Sequence, residues 1–314
     1  MKNFAMLGRW HVHADGYANE INSIPGCKVV KVWDADGANA ADWANKLGCK
    51  AASVQEILSD PTIDGVVICA ATDEHGPLLV RACDSGKAVF TEKVLTLRSR
   101  EAEEVKAAIH RNRTKFAISF PHMSESGVIF ALEAAHSGKL GDINYARVRK
   151  AHNGATAGWL PPHFYDPVAC GGGAMIDLGA HPMYLLCEIM QDEPVQVQSS
   201  FTNITGHAVE DNAVSLLTFD NGAIGVSETG FVSSSYPFTI EIGGTKGSLL
   251  LRDNYVEWCC EETGGKWVPA ELPEALPSPI VQWATAETAE DIPARIGIEP
   301  ATRLTRVMEA AYRA

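Results

Sequence analysis

From residue 1 to about 120 the chain alternates short apolar runs with helical stretches. Phe4–Leu7, Cys27–Trp33, Val66–Cys69, Ala88–Phe90 and Phe116–Phe120 read as strands. Val12–Ile24, Ala38–Leu47, Gln55–Leu58, Pro77–Ser85 and Arg98–Asn112 read as helices between them. Near-continuous apolar strands separated by helices need a parallel sheet covered on both faces. The pattern is that of a doubly wound nucleotide-binding domain, with ligands expected at the carboxyl ends of its strands.

After residue 120 the pattern changes. Glu125–Ser137 and Met175–Met190 look helical, but from about Val195 to Trp267 alternation dominates, as in Val214–Phe219 and Phe238–Ile242. Asp220-Asn221-Gly222 and the run Gly243–Gly247 are turn signals, and turn-linked strands build an antiparallel sheet. Leu272–Ile298 starts rich in proline and is poorly periodic, which predicts a loop or lid. Ala301–Tyr312 is an amphipathic helix. The expected architecture is therefore α/β. A dinucleotide-binding domain occupies residues 1–120. A substrate-binding and oligomerisation domain occupies 121–314, with a large, mainly antiparallel open sheet and a C-terminal helix over 301–312.

Composition removes several function classes. Hydrophobic residues make up 46% and charged residues 21%, as in a soluble globular protein, and no run approaches the length of a membrane span. The net charge of −13 argues against nucleic acid and anionic membranes as partners. The N-terminus enters a strand almost at once and lacks a cleavage-type segment, and the eight cysteines have no Cys-x-x-Cys or zinc spacing. A reducing, cytoplasmic setting is expected.

The chemistry concentrates in four places. Gly8-Arg9-Trp10-His11-Val12-His13 follows the first strand, where a dinucleotide fold places Gly-x-Gly-x-x-Gly. Only the first glycine is present. Asp34 ends the second strand, where an acid accepts bonds from an adenosine ribose and repels a 2′-phosphate. It could equally cap the next helix, and Arg9 could hold a 2′-phosphate, so NAD is expected with NADP as the alternative. Thr91-Glu92-Lys93 follows the apolar strand Ala88–Phe90. Gly171-Gly172-Gly173 precedes Asp177 and His181, which share one face if Met175–Leu186 is a single helix. A carboxylate beside an imidazole suits proton transfer near neutral pH. With Lys93 and a nucleotide-binding half, this set suggests a dehydrogenase acting on an alcohol carbon.

This order of motifs resembles the Gfo/Idh/MocA oxidoreductases, the glucose–fructose oxidoreductase and inositol dehydrogenase group. The specific parts are Gly86–Lys93 and Gly172–His181, with Thr72-Asp73-Glu74-His75 after the strand Val66–Cys69, and the likeness spans essentially the whole chain. It implies NAD(P)-linked oxidation of a sugar or polyol hydroxyl. The family's Glu-Lys-Pro lysine falls on Lys93 and its Asp-x-x-x-His pair on Asp177 and His181. Val94 stands where the family has proline, and Trp10 where it has glycine. Thr72 and His122 occupy positions that often carry asparagine or arginine near the substrate. Cofactor contacts are expected from Gly8, Arg9, Trp10, His11, Val12, Asp34, Ala70, Thr72, His75, Glu92 and Lys93.

In the expected mechanism His181 is the general base, with Asp177 and Lys93 completing the network at the reacting carbon. Lys93 is either an acid–base group or an electrostatic clamp. His181 could instead be a helix-face histidine satisfied by Asp177. Substrate contacts are expected from Lys93, His122, His152, Trp159, His163, Asp177 and His181. Aromatic faces and imidazoles around Pro161-Pro162, Tyr165 included, suit a sugar's C–H faces and hydroxyls; the same stretch also reads as a surface loop. His11 and His13 either touch cofactor or substrate or simply pack. No metal is expected, because Asp177 and His181 have no further ligand at zinc spacing. A redox-assisted glycosidase with recycled NAD and a non-catalytic sugar or nucleotide sensor are the alternatives. Apolar residues on both faces of the later sheet, such as Leu216, Leu217 and Phe219, predict a homo-oligomer, a dimer or tetramer.

Overall fold

The computed structural model describes residues 1–313. The first six strands are β1 (Lys2–Leu7), β2 (Cys27–Trp33), β3 (Lys50–Ala51), β4 (Gly65–Ile68), β5 (Ala88–Thr91) and β6 (Phe116–Ile118). Helices α1 (Ala14–Ser23), α2 (Gly37–Leu47), α3 (Val54–Ser59), α4 (His75–Asp84) and α5 (Ser99–Asn112) connect them. Local chemistry sets several of their ends. Asp36 caps α2 by accepting the Ala38 N–H at 2.8 Å, and Gly48 ends it at φ +62°. Ser53 and Glu56 close a capping box on α3. The strands form one parallel sheet in the order β3-β2-β1-β4-β5-β6. Strand order reverses between β1 and β4, so the crevice for a ligand opens where those two strands end.

The later strands are β7 (Ile143–Ala151), β8 (Gln196–Thr202), β9 (Asn212–Thr218), β10 (Ile224–Gly230), β11 (Thr239–Gly244), β12 (Ser248–Arg252), β13 (Tyr255–Cys259) and β14 (Val268–Pro269). With them come α6 (Ser126–His136), α7 (Ala174–Asp177), α8 (Ala180–Met190), α9 (Pro279–Thr285) and α10 (Ile298–Ala311). The second sheet runs β14-β13-β12-β11-β7-β10-β9-β8 and is antiparallel except where β7 meets β10. Its inner face buries Ala146, Val148, Leu217, Ile240, Ile242, Leu249 and Leu251 on the side where α6 and α8 pack. The other face exposes Leu216, Ile224, Leu250 and Tyr255 and carries Arg147 bonded to Glu228. Leu217 and Phe219 are both inside; of the three residues expected to cover both faces, only Leu216 points outward.

The sequence reading needs correction at three points. The helix expected from Met175 to Leu186 is two helices, α7 and α8, separated at Leu178 and Gly179. Proline lacks an N–H and clashes with the carbonyl four residues back, so Pro182 is tolerated only in the first turn of a helix that restarts at Ala180. The segment Leu272–Ile298 is not simply a loop, because it contains α9. The domain division also differs. One compact unit is Met1–Phe120 with Pro277–Thr305; the other is Pro121–Leu276 with the residues from Arg306 onward. The returning segment belongs with the first unit because Trp283 is fully buried there, 5.1 Å from the Phe4 ring and 5.8 Å from Phe90.

Candidate active site

In the first unit the site is built at the ends of β1, β4 and β5. Gly8 has φ +91°, and a Cβ there would land on the backbone of Ala70, the second residue after β4. Only glycine lets the two strand ends approach this closely. This tight turn at the switch point is the cradle a dinucleotide's phosphates require, so the chain fits the cofactor although Trp10 takes the second glycine's place. Asp34 accepts the Arg9 backbone N–H at 2.7 Å and the Asp36 N–H at 2.9 Å. It organises the loop at the end of β2; helix α2 is capped by Asp36. The Arg9 guanidinium bonds Asp15 at 2.9 Å and Asp42 at 2.9 Å, so two carboxylates already neutralise it.

Glu92, directly after β5, is buried. It sits 2.9 Å from His13 Nδ1 and 3.2 Å from His11 Nδ1, accepts the Tyr17 hydroxyl, and accepts the Lys93 N–H at 3.0 Å. Burial pushes its carboxyl up, but His11, His13 and Lys93 outweigh that and hold it below the usual carboxylate range. Burial, and then the Glu92 charge, push the Tyr17 hydroxyl well up, so Tyr17 remains a donor. Lys93 is itself buried, and the Lys93–Val94 peptide is cis although residue 94 is not proline.

His75 opens α4. Its ring is buried, with Nδ1 2.9 Å from the Val94 carbonyl and Nε2 3.2 Å from the Ala70 carbonyl. It ties together the two loops that flank the crevice. Thr72 opens a single 3₁₀ turn after β4, and Val12 is exposed.

In the second unit His181 is buried at the start of α8. Its Nδ1 lies 3.3 Å from the Tyr184 hydroxyl, and its ring meets His122 edge-on at 5.0 Å. His122 is also buried, stacked on Phe238 at 4.4 Å, with Nδ1 2.8 Å from Glu125 and Nε2 2.7 Å from Lys150. Burial lowers the pKa of His122; Lys150 adds to this and Glu125 opposes it. Asp177 is half-buried at the end of α7. The glycine run before it is a packing device. A Cβ on Gly172 would land on Tyr312 and one on Gly173 on Glu210, and Glu210 caps the Gly173 and Met175 N–H groups at 3.0 and 2.9 Å.

The loop with Trp159 forms a second aromatic surface. His152 stacks on Phe231 at 5.0 Å and lies 4.6 Å from exposed Trp159. Tyr165 stacks on His207 at 3.6 Å, while exposed His163 leans on Phe164.

The sequence reading missed Tyr17, Glu125, Lys150, Tyr184, Glu210, Phe238 and Tyr312. Some left a signal: Glu125 and Tyr184 stand three residues after His122 and His181, and Lys150 alternates with Ala146 and Val148, the inward side of β7. Glu210, Phe238 and Tyr312 arrive from distant segments and left none.

Residues 2–120 match the family described as "Oxidoreductase family, NAD-binding Rossmann fold", and residues 129–250 match the GFO/IDH/MocA C-terminal domain. The chain belongs to the GFO/IDH/MocA oxidoreductase family. Its first unit is an NAD-binding Rossmann domain. The chain is similar to the scyllo-inositol 2-dehydrogenase (NAD(+)) of Bacillus subtilis, with 27% identity over 78% of this chain and 70% of the relative. It is 25% identical to the inositol 2-dehydrogenase of Rhizobium meliloti over 80% of this chain and 75% of that one. Among solved structures, levoglucosan dehydrogenase in complex with NADH and levoglucosan has a TM-score of 0.85 at 17% identity, covering 99% of this chain and 96% of the other. Aldose-aldose oxidoreductase from Caulobacter crescentus has a TM-score of 0.84 at 18% identity, covering 100% and 97%. Both share this fold.

Proposed function

We propose that the protein is an NAD-linked dehydrogenase that oxidises a ring hydroxyl of a sugar, sugar derivative or cyclic polyol. The observation that carries this reading is the buried His181–His122 pair, with Lys150 and Glu125 at the two nitrogens of His122. Such a cluster offers closely spaced donors and acceptors over an aromatic floor, the chemistry that recognises neighbouring hydroxyls on a ring. The inositol dehydrogenases named above act on molecules of this kind.

NAD, when bound, supplies the hydride acceptor. The chain's own residues handle the proton. His181 takes the hydroxyl proton, and its contact with the Tyr184 hydroxyl, 3.3 Å from Nδ1, holds the ring in place. Asp177 orients that ring or relays its proton. Lys93, buried beside Glu92, serves as a second acid–base group or as a cationic clamp for developing alkoxide charge. His152, Trp159 and His163 offer stacking and polar contacts to the substrate.

NAD is preferred over NADP in this reading, because Asp34 sits at the end of β2 and Arg9 is already held by Asp15 and Asp42. The exposed apolar face of the second sheet supports a homo-oligomer. All eight cysteines are free thiols, in keeping with a cytoplasmic setting. Among the described residues no helix is long and apolar enough to cross a membrane.

The test is a screen for NADH formation across cyclic polyols, aldoses and glycosides. Stoichiometric NADH from one of the first two groups is expected. Glycoside cleavage without net NADH would replace this reading with a redox-assisted glycosidase.

A further inference from the structure

We infer that His11, His13 and Glu92 form a binding site for one divalent first-row transition-metal ion, at the turn between β1 and α1. One ligand atom from each of the three lies within 4.8 Å of the other two. Two of the separations are short, because His13 Nδ1 at 2.9 Å and His11 Nδ1 at 3.2 Å face the same oxygen, Glu92 Oε1. A tetrahedral ion with bonds of about 2.0–2.1 Å spaces its donor atoms roughly 3.3–3.4 Å apart. The two separations from Glu92 Oε1 are therefore within a few tenths of an ångström of that spacing, and the third falls inside 4.8 Å.

Glu92 Oε1 accepts the Tyr17 hydroxyl, and the Nδ1 atoms of His11 and His13 converge on the same oxygen. With both rings deprotonated at Nδ1, two imidazole lone pairs and one carboxylate oxygen point into one small space, a donor set that a cation can fill.

The surroundings are those of a supported metal site. Ligating carboxylates are themselves held by hydrogen bonds. Here Glu92 Oε2 takes the Lys93 N–H, and the Tyr17 hydroxyl on Oε1 is in turn 2.6 Å from Ser119 Oγ. The ligands stand on fixed backbone, since the His11 N–H bonds the Cys69 carbonyl at 3.1 Å and the Glu92 N–H bonds the Ile68 carbonyl at 3.0 Å. Two imidazoles and one carboxylate suit zinc, iron, cobalt or nickel, whereas magnesium and calcium want oxygen ligands. The His13 side chain is 47% exposed, so the ion has an approach from solvent and a position left for water or another ligand. The sequence reading expected no metal because it sought ligands around His181; His13 and Glu92 are 79 residues apart.

The test uses untagged full-length protein, stripped with chelator and dialysed. Co²⁺ is titrated while its visible d–d absorption is followed, and Zn²⁺ binding is measured by calorimetry. The expected result is one Co²⁺ per chain with saturable absorption that Zn²⁺ displaces. Glu92→Gln should abolish the absorption, and His13→Ala should weaken binding at least tenfold. His13 is at the surface, so that variant keeps its fold, checked by circular dichroism. Absence of saturable Co²⁺ absorption in the wild type, or wild-type affinity in His13→Ala, overturns the proposal. None of these readouts depends on turnover or on NAD.

Discussion

The Lys150 ammonium lies 2.7 Å from Nε2 of His122, and this contact fixes the tautomer of the ring. Lysine donates and cannot accept, so Nε2 carries the lone pair and the ring proton is on Nδ1, donated to Glu125 at 2.8 Å. The relay Lys150–His122–Glu125 presents a neutral, oriented imidazole to His181.

Acid should therefore destabilise the protein in two stages. Burial lowers the pKa of folded His122 below its ordinary 6.5, so as pH falls through that value the unfolded chain takes a proton that the folded ring refuses. Burial raises the Glu125 carboxyl, but His122 and Lys150 lower it further, to a net value below the ordinary 4.5. Its stabilisation is present above that value and is lost as pH falls through the folded pKa. Urea midpoints should be flat above pH 7, fall below about 6.5 and fall again below about 4.5. His122→Phe should reduce the first step, leaving the part that comes from His75, whose pKa burial also lowers; an unchanged slope would remove His122 from this account.

Removing a proton-transfer group typically costs about 10²–10⁴ in rate. His181→Ala and Lys93→Ala should each lose activity on that scale and still bind NAD in a fluorescence titration. Asp177→Asn should lose less than His181→Ala if Asp177 only orients the ring. Near-normal turnover in a folded His181→Ala protein would return His181 to a packing role.

In the proposed reading, cofactor choice rests on two side chains. Asp34→Ser should move the ratio of kcat/KM values towards NADP, because a carboxylate that would repel a 2′-phosphate is gone. Arg9→Ala should leave NADP use low, since its guanidinium is already paired with Asp15 and Asp42. A wild-type enzyme that prefers NADP would contradict this assignment.

Trp283 is fully buried against Phe4 and Phe90. Trp283→Ala should cost about 3–5 kcal/mol, the usual range for a buried tryptophan. Thermal and denaturant unfolding should show this as a large loss. A loss under about 1 kcal/mol would mean the segment contributes little to the first unit.

The outward face of the second sheet exposes Leu216, Ile224 and Leu250. Light scattering at micromolar concentration should report a dimer or larger, and Leu216→Lys should shift it towards monomer. A wild-type monomer would show that this face is simply solvated.

Sequence alone determined five of the first sheet's six strands, because a buried parallel strand has to be continuously apolar and its crossover helix amphipathic; the edge strand β3, two exposed residues at Lys50–Ala51, carries no such run. Gly8, Asp34 and Glu92-Lys93 were legible for the same reason: each follows directly from a strand end. The mainly antiparallel character of the second sheet was legible from alternation and turns. What pairs with what across the chain was not. Period and spacing report local geometry, and Trp283 looked like part of a loop until its ring was seen in the first core. The break between Asp177 and His181 follows from Pro182, yet the partners of His181, Tyr184 beside it and His122 across from it, depended on how α6, α8 and β7 pack. Likewise only the fold brought His11 and His13 onto Glu92. A strand's end fixes where a side chain begins, but the charges and rings it meets come from segments dozens of residues away, and only the packed chain sets those distances.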